Sequence, residues 1–343
     1  MSTTYALFGQ AKINQEVWAG IAAKHGLDPH ESRPVLPHGK IQGQTDRIMW
    51  ETRKLYFWQA VEAGQLRQEP LIYKLESPPT TRIVSWGNCN VHCPYCKRDC
   101  QFIGDDGLPI VSVMVPLHEL LSACVYAHER GEIVRFSGGD PVMFPRETLA
   151  MSEYLWQMHG AKTSIAHNGS GTSWVRKLLP FLSSAAIDLK AVPEKMGQIM
   201  GISQASGYKM YDRSLATQAL ISATEALLDV RTPVFGDTTL DEMMRLAGDI
   251  VINNDLRRTF WTWRLYKAVE GCDWAVPEKD QVIGMMLQVS QRYPELWLGI
   301  RAKWQRGGME YVRNGQLIAQ SDDVEIHFAP ETGSGNCHVL SPA

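Results

Sequence analysis

From residue 81 onward the chain alternates short, strand-like apolar runs with longer stretches of helical spacing. The strand-like runs fall at residues 81–86, 132–136, 162–166, 185–189, 230–235 and 259–266. Between the first two, Leu117, Leu120, Leu121, Cys124 and Val125 repeat at the spacing of a buried helix face, opened by Pro116 and closed by Gly131. Cys124 sits on that stripe and reads as core. Further helices are predicted over 146–159 and 211–228. Strands alternating with helices predict a parallel sheet with helices outside, either an open doubly wound sheet or a partial barrel. In both, ligands gather at the carboxyl ends of the strands.

The flanks follow other patterns. Residues 1–80 read as a mostly helical extension. After Asp46 the run 47–63 has no Pro or Gly, stops at Gly64, and is apolar nearly all round, as in a helix covered on more than one side. Ser77-Pro78-Pro79-Thr80 then breaks the pattern. Beyond the core region, 81–270, lies a third region, 271–343. It reads as a helix over 276–291 and strands over 295–300, 309–312 and 316–319, with a loop over 331–336. Asn314-Gly315, between the last two strands, is a strong hairpin signal.

Composition narrows the class. With 343 residues, 44% hydrophobic and 21% charged, the chain has an ordinary soluble make-up and room for one large α/β domain with additions or two small domains. A formal net charge of −3 gives no electrostatic reason to expect a nucleic-acid or membrane partner. No apolar run approaches the ~20 residues that span a bilayer, and the first residues lack the layout of a secretory signal. Seven cysteines, three of them clustered, do not form a disulfide-like framework. Their count predicts a reducing, cytoplasmic setting.

Cys89, Cys93 and Cys96 are spaced C-x3-C-x2-C within eight residues, directly after the first core strand. Thiolates so placed can hold three irons of a [4Fe–4S] cube and leave the fourth open. A zinc site using His92, a closed cluster adding Cys100, and plain core cysteines are the alternatives. Other polar motifs end the following strands: Ser137-Gly138-Gly139-Asp140-Pro141, Ala166-His167-Asn168-Gly169, Ile187-Asp188-Leu189-Lys190, Val230-Arg231-Thr232, and the run from Phe260 to Lys267, which carries Arg264. Singly, each reads as a turn, an ion pair or a packed strand end. Together they converge on one rim with the cysteines. Alternation puts Asp188 and Lys190 on one side of their strand.

The cysteine loop resembles that of the radical S-adenosylmethionine (radical SAM) superfamily, in which an aromatic residue, here Tyr95, commonly precedes the last cysteine. The resemblance implies a [4Fe–4S] cluster on Cys89, Cys93 and Cys96, with S-adenosylmethionine on the open iron. It also implies an electron donor such as flavodoxin or ferredoxin and a 5′-deoxyadenosyl radical that takes hydrogen from a C–H bond. Within the superfamily the core is most similar to the glycyl-radical-enzyme activases. On that basis Gly138, Gly139 and Asp140 hold the methionine amino group, and Tyr95 and Asn168 join the S-adenosylmethionine site. Asp188 meets the ribose or sulfonium, while Lys190 and Arg231 meet the carboxylate. Asn168 and Gly169 match the activases' Asp-Thr-Asn-Gly; Ala166 and His167 do not, so the monovalent-cation carboxylate is missing and His167 is left to face substrate. Arg264 and Lys267, where activases end Leu-Pro-Tyr-His, are cations that a substrate phosphate or carboxylate would need. Cys100, Cys272 and Cys337 are candidate hydrogen donors. The implied fold is α/β, a partial (β/α)6 TIM-like barrel with an N-terminal helical extension and a C-terminal α+β extension. The expected activity is on a small organic substrate. The alternatives are an activase for a partner protein's glycine and a non-catalytic iron–sulfur or zinc protein.

Overall fold

The computed structural model describes residues 10–35, 74–75, 81–96, 113–266, 268, 271–301, 309–319, 327–328 and 337–338. The strands, in chain order, are β1 (Ser32–Val35), β2 (Lys74–Leu75), β3 (Thr81–Trp86), β4 (Val113–Pro116), β5 (Ile133–Gly138), β6 (Thr163–His167) and β7 (Leu182–Asp188). They continue with β8 (Leu227–Val234), β9 (Thr259–Leu265), β10 (Trp297–Arg301), β11 (Met309–Arg313), β12 (Gln316–Ala319), β13 (His327–Phe328) and β14 (Cys337–His338). The helices are α1 (Gln15–Lys24), α2 (Leu117–Glu129), α3 (Pro145–His159), α4 (Thr172–Leu178), α5 (Pro193–Met200), α6 (Gln204–Ser222), α7 (Leu240–Asn253) and α8 (Lys279–Arg292).

Eleven strands form one sheet in the order β12-β11-β10-β9-β8-β7-β6-β5-β3-β1-β4. Those from β3 through β10, excluding β4, all run parallel. Their spatial order follows chain order and never reverses. A doubly wound sheet reverses at a switch point; with right-handed crossovers throughout, an unreversed order keeps every helix on one face and curls the sheet around the other. That is the partial-barrel solution, with the six expected strands and a seventh, β10, added beside β9. The sheet therefore crosses both flanks: β1 joins it from before residue 81, and β10 to β12 from beyond 270. Three short strands, β13-β14-β2, make a second sheet.

Register sorts the side chains into two faces. Arg135 pairs with Ser164 and Ser164 with Ser184, while Asp188 pairs with Arg231 and Arg231 with Thr262. This polar set is the concave interior. The alternate positions, among them Phe136, Ile165, Ile187, Val230, Trp261 and Trp263, are fully buried and apolar. They meet the helices, as in the Leu117–Leu120–Leu121–Cys124 stripe of α2. The two tryptophans pack as an edge-to-face pair, ring centroids 5.2 Å apart.

Several expectations are corrected. The helix expected over 211–228 is α6, which starts at Gln204 behind a Ser203 cap; Leu227 and Leu228 belong to β8 instead. The helix at 276–291 begins at Lys279. Of residues 1–80 the described parts, 10–35 and 74–75, hold one helix and two short strands, and the run 47–63 on which the expected helical extension mainly rests lies outside the described residues. So does the loop at 331–336. The Asn314-Gly315 hairpin is present, with φ of 51° and 69°, the left-handed pair a two-residue turn requires. No helix among the described residues is long and apolar enough to cross a membrane.

Helix α1 docks on α3. Asn14 caps it, accepting from the Glu16 and Val17 amides. Trp18 packs edge-on against Tyr154, and Glu153 binds Lys24 at 2.6 Å and His25 at 2.7 Å. Burial works against the Glu153 charge, but these two partners hold its carboxyl below the usual glutamate range.

Two stability tests follow from this packing. Ile187→Ala, emptying a fully buried site on the helix-facing side of β7, costs about 2–5 kcal/mol in denaturant unfolding. Because the folded state lowers the Glu153 pKa, its stabilisation is complete above the unfolded carboxyl's pKa and fades as pH falls through the lower folded value. Unfolding curves across the acid range therefore show wild type and Glu153→Gln converging as pH drops.

Candidate active site

The cysteine loop leaves β3 at Trp86, whose indole is buried, stacks on Phe144 at 4.8 Å and donates to Thr148 Oγ1 at 3.2 Å. The glycine motif at the end of β5 then comes up against it. Gly139 N donates to Trp86 O and Asp140 N to Asn88 O, both at 2.7 Å. A Cβ on Gly138 would lie 2.1 Å from Trp86 N, and one on Gly139 would lie 2.0 Å from Asn88 O. Only glycine fits. From the other side His92 N donates to Met200 O at 3.1 Å, and a Cβ on Gly201 would lie 2.1 Å from His92 O. The loop is thus clamped between the end of β5 and the end of α5. Gly201 escaped the sequence reading because a glycine after a helix needs no reason beyond its left-handed cap.

Within the clamp Val91 and Cys93 are buried, Cys89 and Cys96 are partly buried and His92 is exposed. All three thiols are free. Burial, with a smaller push from Asp140, raises the Cys89 thiol to about 12. Burial also raises Cys93, to about 11, against the pull of Lys190. Among the described residues no three His, Cys, Asp or Glu side chains gather around a single-ion position. Burial discourages bare thiolates, and metal coordination deprotonates a thiol outright. Three free thiols on a rigid loop fit a cluster.

Tyr95 lies in an aromatic group with Phe235, Trp274 and Tyr266, centroids 5.2, 5.8 and 6.5 Å from its own. Tyr266 belongs to the run from Phe260 to Lys267, but Phe235 and Trp274 had no motif to announce them. Lys190 reaches Tyr95 OH at 3.1 Å, lies 5.6 Å from its ring centroid, and binds Asp188 at 2.7 Å. Burial opposes the Lys190 charge, but Asp188 holds its pKa well above the lysine range. Burial likewise opposes the Asp188 charge; Lys190 first, then Arg264 and Arg231, keep that carboxyl low. A cavity of about 240 Å³ opens beside Lys190, bordered by Thr232, Phe235, Met243 and Trp274.

Other expected ligand contacts are engaged within the chain. Arg231, 1% exposed, donates to Asp229 Oδ2 at 2.6 Å, and Asp229 Oδ1 accepts from Thr262 at 2.8 Å. Asp229, two residues before Arg231 on the same strand face, is a partner that alternation alone could have supplied. Asp140 Oδ1 accepts from Val142 N at 2.9 Å and meets His167 Nδ1 at 2.7 Å, while Oδ2 accepts from Asn168 N at 2.8 Å. His167, 2% exposed, also accepts from Gly171 N at 2.9 Å, so both ring nitrogens are occupied. The residue expected to face substrate thus has both ring nitrogens engaged within the chain. Asn168 bonds Asn90 and Ser170. Arg264 sits at the rim near Asp188, whereas Lys267, Cys100 and the side chain of Cys337 lie outside the described residues. Cys124 is fully buried in α2, where burial pushes its thiol up to about 12. Cys272 borders the aromatic group.

No protein-family model matches the chain, and no curated protein matches it significantly. Among solved structures it is similar to a radical SAM methyltransferase from Sphaerobacter thermophilus, with 13% identity, a TM-score of 0.48, and coverage of 84% of this chain and 92% of that one. It is also similar to a domain of pyruvate-formate lyase-activating enzyme from Bacteroides vulgatus, with 14% identity, a TM-score of 0.40, and coverage of 49% and 98% respectively.

The clamp carries a direct test. Gly139→Ala must displace the Asn88 carbonyl, so alkylation of Cys93 in the metal-free protein speeds up severalfold. Gly284→Ala, where a Cβ meets nothing within 4 Å, keeps the wild-type rate.

Proposed function

We propose that the chain is a radical SAM enzyme acting on a small organic substrate. The observation that carries this reading is the placement of three free thiols, on one glycine-clamped loop, at the carboxyl-end rim of a partial barrel. Active sites of such barrels are built at that rim. Cys89, Cys93 and Cys96 hold the cluster. When bound, the cluster would pass one electron from a donor such as reduced flavodoxin or ferredoxin into the sulfonium of S-adenosylmethionine, whose 5′ carbon–sulfur bond would break to give methionine and a 5′-deoxyadenosyl radical.

The chain's own residues bind and shield. Lys190, charged and anchored between Asp188 and Tyr95, offers an ammonium to the methionine carboxylate. Arg231 and Arg264 add positive potential on the same concave face. Asp188 accepts from ribose hydroxyls. The aromatic group beside Tyr95 excludes water from the radical's path. Preference for a small substrate rests on the segment after β9. Tyr266 OH donates to Cys272 O at 3.2 Å and Gly236 N to Ala275 O at 2.7 Å, which draws 272–275 across the ends of β8 and β9. A rim covered in this way suits a metabolite-sized molecule better than a protein loop.

Reconstituted protein with dithionite and S-adenosylmethionine releases 5′-deoxyadenosine and methionine. Cys89→Ala, Cys93→Ala and Cys96→Ala each abolish cluster and cleavage, whereas Cys100→Ser keeps both. Loss of the cluster in Cys100→Ser establishes a four-thiolate site instead, and cleavage that requires a co-expressed glycyl-radical partner establishes an activase.

A further inference from the structure

The turn that closes β6, residues 167–171, sits against the cysteine loop at two points. The first is a closed ring of hydrogen bonds. Asn168 Nδ2 donates to Asn90 Oδ1 at 2.6 Å, Asn90 Nδ2 donates to Ser170 Oγ at 3.0 Å, and Ser170 N donates back to Asn168 Oδ1 at 3.1 Å. Asn90 lies between Cys89 and Cys93, so the ring grips the loop within its longer cysteine interval. The second runs through Asp140. Since His167 Nε2 accepts from Gly171 N, the neutral ring carries its proton on Nδ1 and donates it to Asp140 Oδ1 at 2.7 Å. Asn168 N holds the other carboxylate oxygen at 2.8 Å, and Asp140 N in turn holds Asn88 O, one residue before Cys89.

The turn itself is fixed from behind. A Cβ on Gly169 would lie 2.8 Å from Ser214 of α6, and Thr217 Oγ1 donates to Gly169 O at 2.9 Å. Thr172 also meets Thr217 at 2.8 Å. The turn is therefore a rigid element with its polar groups directed at the loop.

We infer that the 167–171 turn is a positioning device for the cysteine loop. His167, acting through Asp140, and Asn168, acting through Asn90, set where the thiols sit, and both are spent on the chain itself rather than on S-adenosylmethionine or substrate. A buried hydrogen-bonded network holds a unique arrangement when every member is satisfied, and groups that orient metal ligands tune both the retention and the electronic state of what is bound. The inference takes the identity of the bound group from the proposed function, but the positioning itself can be read without any metal.

The test begins on the metal-free protein. Iodoacetamide labelling mapped by mass spectrometry reads the alkylation rate of Cys93, which is only 6% exposed. Asn90→Ala, His167→Ala and Asn168→Ala each raise that rate severalfold with circular dichroism unchanged, and His167→Asn restores it, because its amide keeps a donor where Nδ1 stood. Asn90 is exposed, so Asn90→Ala decides the matter even where a buried variant misfolds. A second readout is the electron paramagnetic resonance spectrum of the reduced, reconstituted protein without S-adenosylmethionine, which shifts in the three alanine variants and returns in His167→Asn. Wild-type labelling rates in Asn90→Ala, or spectra that differ from wild type only once S-adenosylmethionine is added, overturn the inference and return Asn168 to ligand contact. A wild-type protein that binds no cluster sinks the proposed function alone, since the labelling result stands apart from it.

Discussion

The whole rim depends on a backbone-to-backbone contact that leaves no room for side chains. Where β3 gives way to the cysteine loop, the Gly138-Gly139 dipeptide packs onto Trp86 and Asn88 so closely that a methyl group at either position would overlap main-chain atoms. Gly201 repeats the arrangement at the far side, against His92. A loop whose neighbours are other residues' backbones cannot shift without breaking amide hydrogen bonds. Cysteines on such a loop are held still by the fold, not by one another. Rigidity of that kind is what a ligand set needs before anything binds.

Around this fixed loop the barrel separates two kinds of burial. Its convex face is apolar and pays for the fold through contact with helices; its concave face buries charge. Charges removed from water persist only when paired, and here the pairs are short-range in sequence: Asp229 with Arg231, Asp188 with Lys190. Each pair joins residues two apart on one strand, so the strand's own alternation brings the partners together. At the rim the Asp188–Lys190 pair is less buried than Asp229–Arg231 inside. An anionic ligand arriving beside Lys190 thus meets an ammonium that is already charged and already oriented, and shares it with Asp188.

Much of this was legible in the sequence. The core strands stood out because each combined a short apolar run with a polar motif at its end, and three cysteines fall within eight residues directly after the first of them. What escaped did so for identifiable reasons. β1 contains Pro34, which speaks against a strand, yet Pro34 O accepts from Gly87 N and the strand sits beside β3. Ala226-Leu227-Leu228 continues the apolar content of α6, and periodicity alone could not end that helix before β8. Asn90 and Ser170 are polar loop residues that only a folded chain brings together. For the same reason nothing in the sequence pairs His167, expected to face substrate, with Asp140, 27 positions earlier.

The proposed function requires three sulfur donors that leave one iron free for the amino acid end of a nucleoside ligand. Electron–nuclear double resonance on the reduced, anaerobically reconstituted protein, mixed with S-adenosylmethionine carrying 15N in its amino group or 17O in its carboxylate, measures that contact directly. Resolved hyperfine coupling from the labelled nuclei to the cluster spin is the expected result. A cluster spectrum identical with and without the labelled compound, in protein of full iron content, contradicts it.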